Sequence, residues 1–204
     1  MNDDYDVKVA IESDELDWEE CCLYGSYVKL FSQKKLEETS LIKIEKGGFL
    51  SKTDVYNSVE LLVLEGEYIN EFGSYSKGTY IKLPKENEKF VRSEKGCVVF
   101  RKINYKHNNE EITVDTSRSE WLQGQGNLEV MPLSEQTALV KWPKGEKFIA
   151  HKHWGGEEIF VLSGIFMDEH GNYAANCWIR SPHLSQHFPF VEEETVIFVK
   201  TGHL

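Results

Sequence analysis

The segments VELLVLEGEY (residues 59–68) and EEIFVLSGIF (residues 157–166) decide the fold of this chain. Each is a short apolar run that halts at a glycine and then resumes. A run of this length, bounded by a turn residue, reads as a buried strand and is too short for a stable helix of its own. The two segments are also copies of one another. Glu60, Val63, Leu64 and Gly66 recur as Glu158, Val161, Leu162 and Gly164, a displacement of 98 positions. Carried outward, the same displacement runs without a gap from Lys46-Gly47 on Lys144-Gly145 to Lys102 on Lys200. Sixteen of these 57 aligned pairs are identical, where shared composition alone gives roughly three or four. The chain is therefore a tandem repeat of one unit.

Each copy reads as β. The runs SYVKLF, SLIKIE and CVVF alternate with Gly, Asn and Pro at spacings of about 8 to 12 residues, as in sandwiches and barrels. No stretch sustains a helical period over three turns, and only the acidic amino terminus and SQKKLEE (residues 32–38) tolerate helix. The expected organisation is an acidic stub at 1–17, a first β unit at 18–104, a polar linker at 105–120 with one strand through EITV, and a second β unit at 121–204.

Composition narrows the function. Of 204 residues, 40% are hydrophobic and 12% aromatic, enough apolar area for a packed core. Lys and Arg number 23 against 34 acidic residues, a net charge of −11. With no basic stripe interleaved with aromatics, nucleic acid is set aside as a partner, because that affinity rests on neutralising phosphates. The first residues are acidic where a targeting peptide would be basic, and no apolar run approaches the roughly 18 residues of a membrane span. The expectation is a cytoplasmic protein with no membrane partner. Cys21, Cys22, Cys97 and Cys177 form no CxxC and no framework spacing, so reduced thiols are expected.

The chemistry sits in the second copy. In FIAHKHWGGEEIFVLSG, His151 and His153 are two apart, which on a strand aims both imidazoles at one face. The turn Trp154-Gly155-Gly156 then reverses the chain and brings Glu157 beside them. Two neutral nitrogens and a carboxylate around one point suit a divalent metal. His187, in IRSPHLSQHFPF, is a fourth candidate on a neighbouring antiparallel strand. His183 lies close to it and is a candidate for supporting the ligands from behind or touching a substrate. By the 98-residue displacement the four ligand positions fall on Thr53, Val55, Val59 and Lys89, which make no metal set. Asp168-Glu169-His170-Gly171-Asn172 repeats as Asn70-Glu71-Phe72-Gly73-Ser74 and reads as a hairpin turn. His107 and His203 fall in surface segments, and Glu158, repeated as Glu60, reads as structural. Phe148, Phe160, Phe166, Trp178, Phe188 and Phe198 read as core, with one or two at a pocket mouth.

The spacing Gly145, five residues, His151-x-His153, three residues, Glu157, six residues, Gly164 is similar to the first signature of the cupin superfamily. Pro182 followed by His187 resembles its second, although Leu184 and Asn176 stand where that motif has glycines. More narrowly, residues 151–189 resemble the cupin domain of ChrR-type anti-sigma factors, a subfamily that includes dioxygenases acting on small diketones or acetophenones. The resemblance is strong over residues 120–204 and reaches residues 18–104 through the repeat. It implies an all-β chain with little helix: two tandem cupin jelly-roll barrels, a bicupin, of which 121–204 binds metal and 18–104 lacks the ligands. It also implies one divalent transition metal per chain, zinc or iron before nickel or manganese, held by His151, His153, Glu157 and His187. The zinc-binding helical domain that precedes the cupin in ChrR-type proteins has no counterpart in the stub, so sigma-factor binding is not expected.

Two functions follow as expectations. One is a metal-dependent small-molecule enzyme of dioxygenase type; the other is a noncatalytic metal-bound module that senses or binds a small effector. A small-molecule ligand or substrate is the expected partner in both, and a homodimer is left open. The asymmetric repeat predicts one equivalent of transition metal per chain, measured by elemental analysis and located by anomalous scattering in the second copy. An ion on Thr53 or Lys89 would overturn the repeat alignment.

Overall fold

The computed structural model describes residues 1–21, 24–51, 58–84, 90–104 and 110–204. The chain forms two compact units: Met1–Asp3 with Asp17–Ser119, and Asp4–Leu16 with Glu120–Leu204. Among the described residues every strand pairing is antiparallel, and the sole helical element is the 3₁₀ turn Ser13–Glu15. No helix of the described residues is long and apolar enough to cross a membrane. The run SQKKLEE, tolerant of helix in isolation, is the turn of a hairpin between Ser26–Lys34 and Glu37–Ile44, with Lys35 at φ +56°. Burial of the flanking alternating residues against neighbouring strands overrides the weak local preference.

In the second unit, seven strands form one wall, in the order Val9–Glu12, Cys177–Ser181, Glu157–Ser163, Thr195–Thr201, Thr137–Trp142, Glu129–Pro132 and Leu122–Gln123. The facing wall is made of short ribbons. His151–Lys152 pairs with Gln186–His187, and Ile165–Asp168 with Gly171–Ala174. Phe190 stitches these ribbons together by bridging to both Lys147 and Met167. Between the walls lies a core that includes Trp142, Ile159, Val161, Phe166, Ile179 and Ile197. Ile159 and Val161 face this core, while Phe160 between them, on the opposite face, is buried too. Burial on both faces explains why this segment reads as a continuous apolar run rather than an alternating one.

The first unit repeats the plan. Its main sheet runs Ile112–Asp115, Thr79–Leu83, Ser58–Asn70, Cys97–Asn104, Glu37–Ile44, Ser26–Lys34 and Glu19–Glu20, with Phe49–Ser51 and Phe90–Arg92 pairing on the other wall. In both units the long central strand carries a bulge at the same repeat position, Leu64 and Leu162, two residues before the shared glycine. Of the four first-half counterparts of the ligands, only Val59 is among the described residues, and it lies in the apolar core; Thr53, Val55 and Lys89 lie outside them, as does His107.

The edge strands come from unexpected segments. Residues 4–16, read as part of a stub, belong to the second unit, where Val9–Glu12 pairs with Cys177–Ser181. The strand through EITV, read as linker, belongs to the first unit, where Ile112–Asp115 pairs with Thr79–Leu83. The registers are equivalent: Val9 opposes Arg180 as Ile112 opposes Lys82, and Glu12 opposes Cys177 as Asp115 opposes Thr79. Each sheet is thus completed by the arm that precedes the other repeat. The arms correspond at a displacement of 103 rather than 98, which is why the gapless alignment does not reveal them.

Gly164 tests the close approach after the bulge. Its φ is +75°, and a Cβ there would sit 2.5 Å from the Glu194 carbonyl oxygen. Gly145 has φ +82° with nothing within 4 Å of an added Cβ. Gly145→Ala should cost about 1–2 kcal/mol, the strain of a left-handed residue alone, and Gly164→Ala clearly more, by urea denaturation. Equal losses would show that the close approach does not matter.

Candidate metal centre

Strand pairing assembles the site. His151 lies directly opposite His187, a register that places side chains in contact across the ribbon. Their ring centroids are 5.0 Å apart. His153, two residues on and aimed at the same side, lies 4.7 Å from the ring of His151 and 5.0 Å from that of His187. One nitrogen from each of the three rings falls within 4.8 Å of the others, and no other such grouping exists among the described residues. Gly155 and Gly156 turn the chain at φ +72° and +70°, where added Cβ atoms would strike Gly202 and Leu204. That turn delivers Glu157 with its Oε2 3.6 Å from Nε2 of both His153 and His187. The two Nε2 atoms themselves are 3.0 Å apart.

Glu157 is buried, and its Oε2 has no hydrogen-bond donor. Burial pushes this carboxyl up to about 7, with partial relief from the charges of His187 and Lys8 and a further push from Asp168. Burial, then the neighbouring charges of His187 and His151, lowers His153 to about 4, so that its ring is neutral around neutral pH. His151 Nδ1 lies 3.1 Å from the Ile149 carbonyl and donates to it, which leaves Nε2 as the lone pair. Three imidazole nitrogens and a buried carboxylate oxygen without a donor fit a divalent transition metal; the set does not choose among zinc, iron, nickel and manganese.

Asp168, read from the sequence as a turn residue only, does more. Its Oδ1 accepts the backbone N–H groups of His170 and Gly171 and the Tyr173 hydroxyl, at 2.8 to 3.1 Å. Its Oδ2 lies 2.6 Å from Lys8 Nζ and 3.5 Å from His187 Nδ1. Burial alone would raise this carboxyl, but hydrogen bonds from His187 and Lys8 outweigh it and hold Asp168 well below the usual carboxylate range. The one sequence signal was the exchange of Asn70 for Asp168 between the repeats. An Asn oxygen suffices for the turn, as Phe72 and Gly73 show by donating to Asn70.

His183 turns away from the cluster. Its Nδ1 accepts the Gly155 N–H at 2.8 Å and its ring meets Trp154, so it braces the turn between His153 and Glu157. Leu184 and Asn176 hold φ +61° and +71°, the left-handed conformations of the glycines they replace. Leu184 N–H donates to the His153 carbonyl at 2.9 Å, tying the two ligand segments together. His203, placed by sequence at the surface, is largely buried with Nε2 3.0 Å from Glu158 Oε2. Phe188 is exposed rather than core.

The sequence profile of the ChrR cupin-like domain matches the chain twice, over residues 6–106 and 109–204. No curated protein is significantly similar in sequence. Among solved structures, a candidate dioxygenase from Nostoc punctiforme superposes with a TM-score of 0.80 at 11% identity, over 95% of this chain and 81% of that one. The E. coli protein YlbA gives 0.74 at 14% identity over 98% and 93%. A variant of Bacillus subtilis oxalate decarboxylase gives 0.67 at 11% identity over 94% and 76%. At these identities the likeness establishes the fold: two tandem cupin barrels.

Glu157 makes the metal-stripped protein pH-sensitive with a definite sign. Below the unfolded value of about 4.5 the carboxyl is protonated in both states; as pH rises toward its folded value of about 7, the unfolded chain releases the proton first and stability falls. Glu157→Gln, which cannot ionise, should match the wild type in acid and exceed it above neutrality by roughly 3 kcal/mol. His153 acts in the opposite direction between about 4 and 6.5 in both proteins. Chelator-treated melts across pH check the difference, and a pH-independent difference would contradict it.

Proposed function

The chain belongs to the ChrR cupin-like domain family, and on that premise we propose that its second barrel holds one divalent transition metal through His151, His153, Glu157 and His187 and acts with O2 on a neutral small molecule. The observation that carries this is the buried Glu157 Oε2, which faces two imidazole nitrogens at 3.6 Å and meets no donor of its own. A cation is the counterpart that such an oxygen lacks. When bound, an iron-type ion supplies one-electron chemistry toward O2 and Lewis acidity toward a substrate oxygen.

The chain's own residues set what can approach. Lys152 and Gln186 alternate with the ligands on the ribbon, so that neither shares a strand face with them. Flanking that ribbon are Ile149, Trp154, Leu184 and Phe188, exposed by 85%, 76%, 40% and 45%. Their apolar character suits a diketone or aromatic ketone better than a dicarboxylate, which would call for cations. A dioxygenase that cleaves a carbon–carbon bond and places both atoms of O2 in the two carbonyl products takes all four electrons from the substrate, so that reaction balances without a separate reductant.

Oxygen uptake by iron-loaded protein, measured against β-diketones and hydroxyacetophenones, tests the reading. The expected result is one O2 consumed per substrate with at least one of them, abolished in His187→Ala even where metal is retained. No uptake with any substrate, together with a large chelator-induced drop in melting temperature, would leave the noncatalytic effector-binding module in its place.

A further inference from the structure

Asp168 sits where a turn needs only an amide oxygen, yet it is a carboxylate, buried, and joined to a lysine 160 residues away. The first unit is a control for what the fold requires. There Asn70 closes the same turn with the same two backbone donors. The equivalent registers of the two arms put Glu111 where the second unit has Lys8. Neither the carboxylate nor the lysine is therefore a requirement of the barrel, and both occur in the unit that carries the histidines.

Geometry says what they do there. A carboxylate only accepts, so Asp168 Oδ2, 3.5 Å from His187 Nδ1, favours the tautomer with the proton on that nitrogen. In that tautomer Nε2 is the lone pair and accepts in the 3.0 Å contact with His153 Nε2, where one ring donates and the other accepts. Oδ1 is engaged by the turn and the Tyr173 hydroxyl, so Oδ2 alone is available to His187, and Lys8 Nζ at 2.6 Å balances its charge.

We propose that Asp168 is the positioning residue for the fourth ligand, fixing the tautomer and orientation of His187, and that Lys8 of the amino-terminal arm holds Asp168 in that role. The proposal rests on the metal reading for its consequence and for the affinity arm of its test, but not for the tautomer arm. Carboxylates behind ligating histidines commonly contribute 10- to 100-fold in metal affinity.

Asp168→Asn in the full chain isolates the effect, because asparagine already closes this turn in the first unit. Two readouts are taken. Long-range proton–nitrogen NMR of metal-stripped protein should show His187 with its proton on Nδ1, and a shift toward Nε2–H in Asp168→Asn. Cobalt or zinc affinity, by chelator competition, should fall about 10- to 100-fold in Asp168→Asn with a metal-free melting temperature close to wild type. Lys8→Met should fall in the same direction by a smaller factor, with Lys8→Arg restoring it. A wild-type His187 protonated on Nε2, or Asp168→Asn binding cobalt as tightly as wild type, overturns the proposal; so does a lowered metal-free melt with unchanged affinity, which marks a purely structural role. Failure of the wild type to bind any metal while the tautomer behaves as stated would remove the metal reading and leave the positioning of His187 in place.

Discussion

A carboxylate taken out of water without a donor is the constraint around which the second unit is arranged. Glu157 stands at the head of the central strand, fixed by pairing on both sides to Ser181 and Thr201. Its backbone cannot shift toward solvent without breaking the sheet's end. Burial of such a group costs several kcal/mol unless a charge or hydrogen bond compensates. The nearest imidazole nitrogens stand 3.6 Å from this oxygen, beyond hydrogen-bond reach, so the compensation has to come from a cation or a proton. Burial is the largest cause of both the raised protonation point of Glu157 and the depressed one of His153.

The two halves show how little of the fold such a site requires. They share the central strand, its bulge at Leu64 and Leu162, and the positive-φ glycine that follows. They share the Asx turn at Asn70 and Asp168 and the edge strand added by an arm. Val59 fills with methyl groups the position that Glu157 occupies, and it packs among Leu61, Ile81 and Leu83. An apolar side chain there satisfies the barrel outright. The polar set in the second unit is therefore a cost to folding that its chemistry has to justify, in line with local conflict between packing and polarity at functional positions.

The arms alter the meaning of the chain's beginning. An acidic segment with weak apolar pattern would ordinarily be assigned to solvent, but Val9–Glu12 closes an otherwise open sheet edge, and Lys8, just before it, reaches the carboxylate behind His187. Asp4 and Tyr5 continue the attachment through Arg180, whose guanidinium donates to the Asp4 carbonyl and lies 4.7 Å from the Tyr5 ring. An exposed edge is a hazard for strand addition by another chain, and the arm moves that edge from Cys177–Ser181 to the four-residue strand Val9–Glu12, a shorter template.

The repeat, the all-β class and three of the four ligand candidates were legible in the sequence because each depends on short-range order. A period of two aims His151 and His153 together, a Gly-Gly turn returns Glu157, and apolar runs between turn residues mark strands. His187 was legible through its spacing from Pro182, and the positive φ of Leu184 and Asn176 shows that the turns survived the loss of their glycines. The roles of Asp168 and Lys8, the bracing of the glycine turn by His183, and the exchange of arms were decided by tertiary structure alone. Each joins residues far apart in the chain, and a side chain that serves a turn by one oxygen gives no local sign of what its other oxygen meets. Local pattern fixes which face a residue presents; only the packing of distant strands decides what stands opposite it.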